Sequence, residues 1–286
     1  MPDGPTVRRR RLGAELRRLR SGHALKLDEV AGQLGLVAST LSRIESGKAP
    51  IRTSYLNDLL NLYEVTDPGA RQLLVDMARE GHRKGWWSDY DDVLPSGFDI
   101  YVGLEAEAVA IRSYESNLVH GLLQTKEYAA AVLRELHPRD NEEQVQRLVE
   151  LRMQRQRQRL LDTEPPIELW LILDESVIRR TVGGPAVMRQ QLNHLVESGR
   201  SPNVTLQVLA FECGAHAGMD GAFSILEFNE RSDPDVAVAD GVGGVAYLEK
   251  DREVRICTEA FDRLRAAALS PAASIQLIQR ASGDLQ

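Results

Sequence analysis

The 286-residue sequence predicts two domains of different class, an all-helical N-terminal domain followed by a mixed α/β C-terminal domain. Three observations predict it. Residues 24–50, ALKLDEVAGQLGLVASTLSRIESGKAP, carry apolar residues at helical spacing on either side of a glycine. The second half of the chain replaces this pattern with short apolar runs of strand length separated by helical stretches. The length itself exceeds what one core usually serves, so that about two domains are expected on size alone. The predicted boundaries are 1–82 for the helical domain, 83–97 for a connector and 98–286 for the α/β domain.

Within residues 24–50, Val30, Ala31 and Leu34 fall on one helical face, Gly35 supplies a turn, and Leu41 and Ile44 form the apolar face of a second short helix. Gly47 ends that helix, where a left-handed residue costs least in glycine. Its outward positions, Ser39, Thr40, Ser42 and Arg43, are small or basic, which suits a helix that enters a DNA groove. Charge agrees with this. Residues 1–52 hold eleven Lys and Arg against five Asp and Glu, a net +6, while the whole chain stands at -7 and the remaining 234 residues therefore at -13. A basic end on an acidic chain is the footprint of phosphate binding. Arg8, Arg9, Arg10 and Arg11 are expected just before the first helix, as phosphate contacts or as a solvated face, and Arg17, Arg18 and Arg20 within it.

These residues resemble the Xre, or Cro/C1-type, helix-turn-helix family, whose pattern is close to "LT..ELA..LGVS...IS.IE.G...P". Leu25, Glu29, Ala31, Leu34, Gly35, Leu41, Ser42, Arg43, Ile44, Glu45, Gly47 and Pro50 occupy the matching places. The resemblance implies a Cro/C1-type DNA-binding domain in which Ala38, Ser39, Ser42 and Arg43 face base edges and Thr40 reaches phosphate. Arg43 is the one able to grip guanine O6 and N7 bidentately, for about 1–3 kcal/mol of discrimination. It also implies an ion pair between Arg20 and Glu45 that fixes how the reading helix is presented. Two positions depart from the family. Leu27 stands where a phosphate-touching Gln is usual, and Val37 stands where Ser or Thr usually caps the reading helix.

Two more helices complete the predicted bundle, one with an apolar stripe of Tyr55, Leu56, Leu59, Leu60 and Tyr63, the other starting after Thr66-Asp67-Pro68 with Leu73, Leu74, Met77 and Ala78. Trp86, Trp87 and Tyr90 make the connector too aromatic for a free linker, so it is expected to dock one domain on the other. From Tyr101 onward the passages YVGLEAEAVAIRSYESNLVHGLLQTKEYAAAVL, LRMQRQRQRLL, LWLILDESVIRRTVGGPAVMRQQL and NVTLQVLAFECGAHAGMDGAFSILEF are similar to the C-terminal domain of actinobacterial WhiJ-like regulators. That resemblance implies an antitoxin-like regulator, often encoded beside a small acidic protein. The group's "PGLLQT" reads His120 to Thr125 here, with its first position changed.

Read from its residues, the second half has strands at Ile167–Leu173, Val204–Phe211, Ala222–Phe228 and Val236–Ala239, and helices at Pro185–Ser198 and Glu142–Leu161. The arginines of the latter helix, Arg147, Arg152, Arg155, Arg157 and Arg159, read as a solvated face. Pockets in α/β folds open at the C-terminal ends of strands, which makes Asp174, Glu175 and the loop Cys213 to Asp220, with His216, an expected effector pocket. Cys213 and His216 have metal-pair spacing but lack a second pair. Gly241 to Gly244 is glycine-rich but leads into the strand-like Val245 to Leu248 rather than a helix, and it lacks the Lys-Ser/Thr of a phosphate loop. No cofactor, no metal and no enzymatic activity are expected. No run of about 18 apolar residues and no apolar leader is present, so a soluble cytoplasmic protein without membrane contact is expected. Cys213 and Cys257 are expected to be reduced there.

The functional expectation is a sequence-specific transcriptional regulator, homodimeric on a double-stranded DNA operator with half-sites about 34 Å apart. Its C-terminal domain would sense a small-molecule effector or a protein partner. The alternative is an antitoxin-like module whose main target is a small acidic protein encoded nearby, with DNA binding serving autoregulation.

Overall fold

A computed structural model describes residues 5–81, 85–95, 97–229, 234–241 and 244–285. Among these the chain divides into two compact units, one taking residues of 5–91 and 97–107, the other those of 92–95, 108–229 and 234–285.

The first unit is helical. Helices α1 (Pro5–Gly22), α2 (Leu27–Gln33), α3 (Ala38–Glu45), α4 (Thr53–Leu62) and α5 (Pro68–Gly81) surround a core of Leu12, Leu16, Val30, Ala31, Leu41, Ile44, Ile51, Leu56, Leu59, Leu60, Tyr63, Leu74 and Ala78. Helix α1 begins earlier than the sequence pattern places it and takes in Arg8 to Arg11. Gly35 turns the chain between α2 and α3 at φ 64°, and Gly47 ends α3 at φ 69°, both in the left-handed region that favours glycine. Leu27 packs against the core, so its departure from Gln exchanges a polar end for burial. Asp67 starts α5 by accepting from the Ala70 N–H at 2.6 Å. Leu73, placed in the apolar stripe by its spacing, is 56% exposed, because Leu74 and Ala78 supply the inward face of α5.

The connector folds as one 3-10 turn, Trp86–Tyr90, in which Trp86 lies edge-on to Trp87 at 6.0 Å and to Tyr90 at 6.4 Å. It leads to α6 (Phe98–Glu107), which contacts α1 and groups with the first unit although the sequence boundary at residue 98 assigns it to the second. Tyr101, Val102, Gly103 and Leu104 are consecutive and buried, the mark of an interior helix rather than an amphipathic one.

The second unit is built on a sheet that has, among the described residues, six strands in the order β3-β2-β1-β4-β5-β6. Strands β1 (Ala110–Glu115), β2 (Glu168–Asp174) and β3 (Val204–Leu209) are parallel; β4 (Phe223–Glu227), β5 (Val236–Gly241) and β6 (Gly244–Leu248) continue from β1 as an antiparallel meander. Of the glycine-rich stretch at the β5–β6 turn, Val242 and Gly243 lie outside the described residues. Helices α7 (Lys126–Leu136) and α8 (Glu142–Gln156) connect β1 to β2, and α9 (Glu175–Arg179) and α10 (Pro185–Ser198) connect β2 to β3, as parallel pairing requires. After the sheet come α11 (Asp251–Ala267) and α12 (Pro271–Gly283). Helix α11 buries Phe261 and Leu264 on a cluster of Tyr114, Ile172, Leu209, Ile225 and Ala237. The long helix expected to run to Leu161 is α8 closed by a π-turn, Arg157–Leu161. Among the described residues no helix is long and apolar enough to cross a membrane.

The arginines of α8 are not uniformly a solvated face. Arg155 is buried, Arg152 donates to the Gln124 Oε1 at 2.5 Å, and Arg159 donates to the Ala108 carbonyl. Arg152 and Arg155 reach the segment His120 to Thr125, which holds only a short 3-10 turn, Gly121–Leu123, inside the domain and needs partners for its remaining polar groups. Gln156 satisfies the Gly121 and Gln124 carbonyls at 2.8 Å each, and the fully buried Gln191 bridges the Leu123 carbonyl and the Thr125 N–H at 2.7 Å each.

Helix α1 crosses the end of α3 at Gly13, where a Cβ would lie 2.5 Å from the Ile44 carbonyl oxygen and 2.7 Å from that of Glu45. Both neighbours are backbone and cannot swing aside. Gly13→Ala is therefore expected to destabilise the first unit by about 1–3 kcal/mol through overpacking, against a gain of about 1 kcal/mol from helix propensity. Urea denaturation checks the sign, and an unchanged or raised midpoint would show that the two helices are not in this contact.

Candidate functional site

Helix α3 presents two faces of opposite character. Leu41, Ile44 and Glu45 are buried, while Ser39, Thr40, Ser42 and Arg43 are exposed. Ala38 packs against the core and sits behind that exposed face rather than on it, since its methyl completes the contact with the bundle. The helix begins at Val37, which is 69% exposed and makes no side-chain cap. At the other end the Arg43 carbonyl is held by the Lys48 and Ala49 N–H groups at 2.8 and 3.1 Å, which fixes the turn through Gly47. Lys48 and Arg52 are exposed just beyond it. Sequence reasoning passed over these two cations, whose position directly after the motif was the available signal.

Arg8, Arg9, Arg10 and Arg11 are half-buried and engaged within the protein, so they are not a free basic stripe. Burial pulls the Arg9 guanidinium below its usual value while Asp99 and Glu107 of α6 oppose that. Its Cγ lies 2.8 Å from where a Cβ on Gly81 would be, which puts it inside the unit. Arg10 closes on Gly47, its Cα 2.7 Å from where a Cβ there would stand. Arg17 and Arg18 are the exposed cations of α1, Arg18 bridging to Glu15 at 2.5 Å.

Arg20 and Glu45 meet as the resemblance implies. Arg20 Nε donates to Glu45 Oε1 at 2.7 Å and Nη2 to Oε2 at 2.9 Å, and Nη1 donates to the Leu25 carbonyl at 2.9 Å. One side chain thus ties together α1, the end of α3 and the loop entering α2. Hydrogen bonding by Glu45 holds the Arg20 guanidinium above its usual value. The adjacent Tyr63 hydroxyl is buried without a hydrogen-bond partner among the described residues, and burial foremost pushes its pKa up to about 12.

In the second unit the loop from β3 to β4 crosses from the sheet edge to the far side of β1, passing the C-terminal ends of β2 and β1. This brings the expected pocket residues together in part. The Tyr114 hydroxyl donates to Asp174 Oδ2 at 3.4 Å, His216 Nε2 lies 3.9 Å from the same oxygen, and the Tyr114 and His216 rings meet edge-on at 5.7 Å. Burial, then Asp174, pushes the Tyr114 phenol well above its usual range. Tyr114 was not foreseen because its strand was not. The other groups serve local structure. Asp174 Oδ1 caps α9 through the Ser176 N–H at 2.9 Å, Glu175 accepts from the Phe211 N–H at 3.0 Å, and His216 Nδ1 accepts from the Gly218 N–H at 3.2 Å. Cys213 packs against the apolar cluster under α11, and Asp220 is exposed at the loop's end.

Glu45 is 7% exposed, so removing its partner leaves a charge with little water. Glu45→Ala is expected to cost about 3 kcal/mol, and Arg20→Met combined with Glu45→Leu less than that, because the double change removes both desolvated charges. Denaturation of both variants and the parent checks it. A double variant at least as destabilised as Glu45→Ala would mean that the lone buried charge is not what the single change costs.

Residues 11–74 match the family described as a helix-turn-helix domain, which supports a DNA-binding regulator. No curated protein and no solved structure matches the chain. Residues 98–280 match a second family and span more than half of the sequence, from α6 into α12. The chain accordingly belongs to the family described as a domain of unknown function (DUF5753), here joined to a helix-turn-helix domain.

Proposed function

We propose that this chain is a sequence-specific transcriptional regulator of the Cro/C1 type that binds operator DNA as a homodimer through α3, and that its C-terminal unit receives a small-molecule effector or a protein partner. The observation that carries the reading is the exposed row Ser39, Thr40, Ser42 and Arg43 on a helix whose opposite face is fixed by the core and by Arg20. Small side chains let the helix backbone approach a groove floor, and one guanidinium at the end of the row has the fork that guanine O6 and N7 accept. Lys48 and Arg52 beside it suit the flanking phosphates, and so do Arg17 and Arg18. Each fits an electrostatic role that carries no sequence information.

For the second unit the proposal is binding, not catalysis. The groups that sequence reasoning singles out are engaged in building the loop: Asp174 as a helix cap, Glu175 and His216 as acceptors for loop amides. A ligand that displaced the Tyr114–Asp174–His216 contact would move the loop Cys213 to Asp220, which is a means of response.

Arg43→Ala is expected to relax sequence preference at one position of each half-site by about 1–3 kcal/mol, whereas Lys48→Ala is expected to weaken all sequences alike and reduce the salt slope by about one. Gel-shift titrations at several salt concentrations decide, and unchanged operator preference in Arg43→Ala removes that residue from the reading role. For the C-terminal unit, Asp174→Asn and His216→Ala are expected to lose operator release by an extract of the source cells. Release equal to the parent's in both variants would place the effector elsewhere, and turnover of a small molecule by the chain would overturn the binding assignment.

A further inference from the structure

We infer that Val37 is a specificity-determining residue of the reading helix and that it recognises the 5-methyl group of a thymine. The inference rests on the operator-binding reading of α3 and adds to it the chemical class of a base that Arg43 does not read.

Val37 occupies the N-cap of α3, with φ -79° and ψ 140°, and its carbonyl already accepts from the Thr40 and Leu41 N–H groups. Its side chain supplies no cap and contributes little to the core, for it is 69% exposed while Ala38, its neighbour, packs inward. At this position Ser, Thr, Asp or Asn would satisfy an orphan N–H of the first turn, and a β-branched apolar side chain forgoes that hydrogen bond. The residue therefore serves neither the helix nor the bundle, and what remains is what it presents outward.

Exposed single apolar residues are common on surfaces, so exposure alone decides nothing. Location decides it. The large apolar residues exposed in the first unit, among those described, are Val37 and Leu73, and Leu73 lies on α5, away from the motif. Val37 stands at the tip of the helix whose next exposed residues are Ser39 and Thr40, and a helix-turn-helix reading helix addresses base edges with its N-terminal residues. In the major groove the one apolar group that a base offers is the thymine methyl. An isopropyl group at the tip has that single complementary partner, and both give up water on contact. The six-residue separation from Arg43 spans about 9 Å of helix axis, so the thymine is expected within about three base pairs of the guanine that Arg43 grips.

The test separates this inference from the reading beneath it. Selection of random-sequence duplexes by the full chain yields a preferred site, and each thymine of that site is then replaced singly by uracil, which deletes the methyl and leaves every hydrogen-bonding edge intact. The parent is expected to bind about three- to five-fold more weakly at one substituted position in each half-site. Val37→Ser, which supplies the missing cap and is expected to fold at least as well, should bind thymine and uracil sites alike. Val37→Thr keeps a γ-methyl and should retain the discrimination. If no thymine of a selected site is sensitive, or if Val37→Ser remains as sensitive as the parent, Val37 does not read the methyl, while the operator-binding reading stands. If selection enriches no sequence, that reading fails and this inference with it.

Discussion

The presentation of α3 depends on a charge pair that water barely reaches. Arg20 clamps Glu45 with two hydrogen bonds and donates a third to the Leu25 carbonyl, so the angle of α3 is set from α1 and from the loop before α2 at once. A hydrophobic contact in the same place would hold the helix as firmly but with less directional preference. The planar fork of a guanidinium admits few orientations. Gly13 works to the same end from the steric side, allowing the α1 backbone to touch the last carbonyls of α3.

The second unit shows how two sheet habits share one layer. Its parallel half, β3-β2-β1, needs long helical crossovers and sends its C-terminal strand ends toward one edge; its antiparallel half needs only short turns. The loop that passes from one half to the other must travel over those strand ends, and this path is why Tyr114, Asp174 and His216 come into contact although they are distant in the chain.

Much of this was legible in the residues. The motif around Gly35 and Gly47 and helix Pro185–Ser198 declare themselves through spacing, since each is built from local periodicity, while the Arg20–Glu45 pair, 25 positions apart, was implied by the resemblance. Strand β1 did not, because Ala110-Ile111-Arg112-Ser113-Tyr114-Glu115 carries polar groups that only the fold explains: Arg112 pairs with Glu227 and lies 5.7 Å from the Phe261 ring, and Ser113 bonds across to Ser224 at 2.8 Å. The inward arginines of α8 were hidden for the same reason. Arg152 bonds the Gln124 side chain 28 positions earlier and Arg159 the Ala108 carbonyl 51 positions earlier, and no periodicity on the helix itself announces such partners. Val37 was visible as a departure from a capping pattern, but its meaning required knowing that the side chain faces solvent.

The place of β1 in the sheet sets an order on the birth of the molecule. Ala110 pairs with Glu168 on one side and Glu227 on the other, 58 and 117 positions downstream, so the strand at the centre of the sheet is among the first synthesised and waits longest for its second neighbour. The helical core, drawn from residues 12 to 78, has every member in hand well before then. On a ribosome the DNA-binding end can therefore be complete while the sheet still has an open edge at its middle, and long-range pairing of this kind is the slow, aggregation-exposed stage of folding. A chain interrupted before β4 would release a finished helix-turn-helix unit attached to a sheet whose central strand still lacks one neighbour.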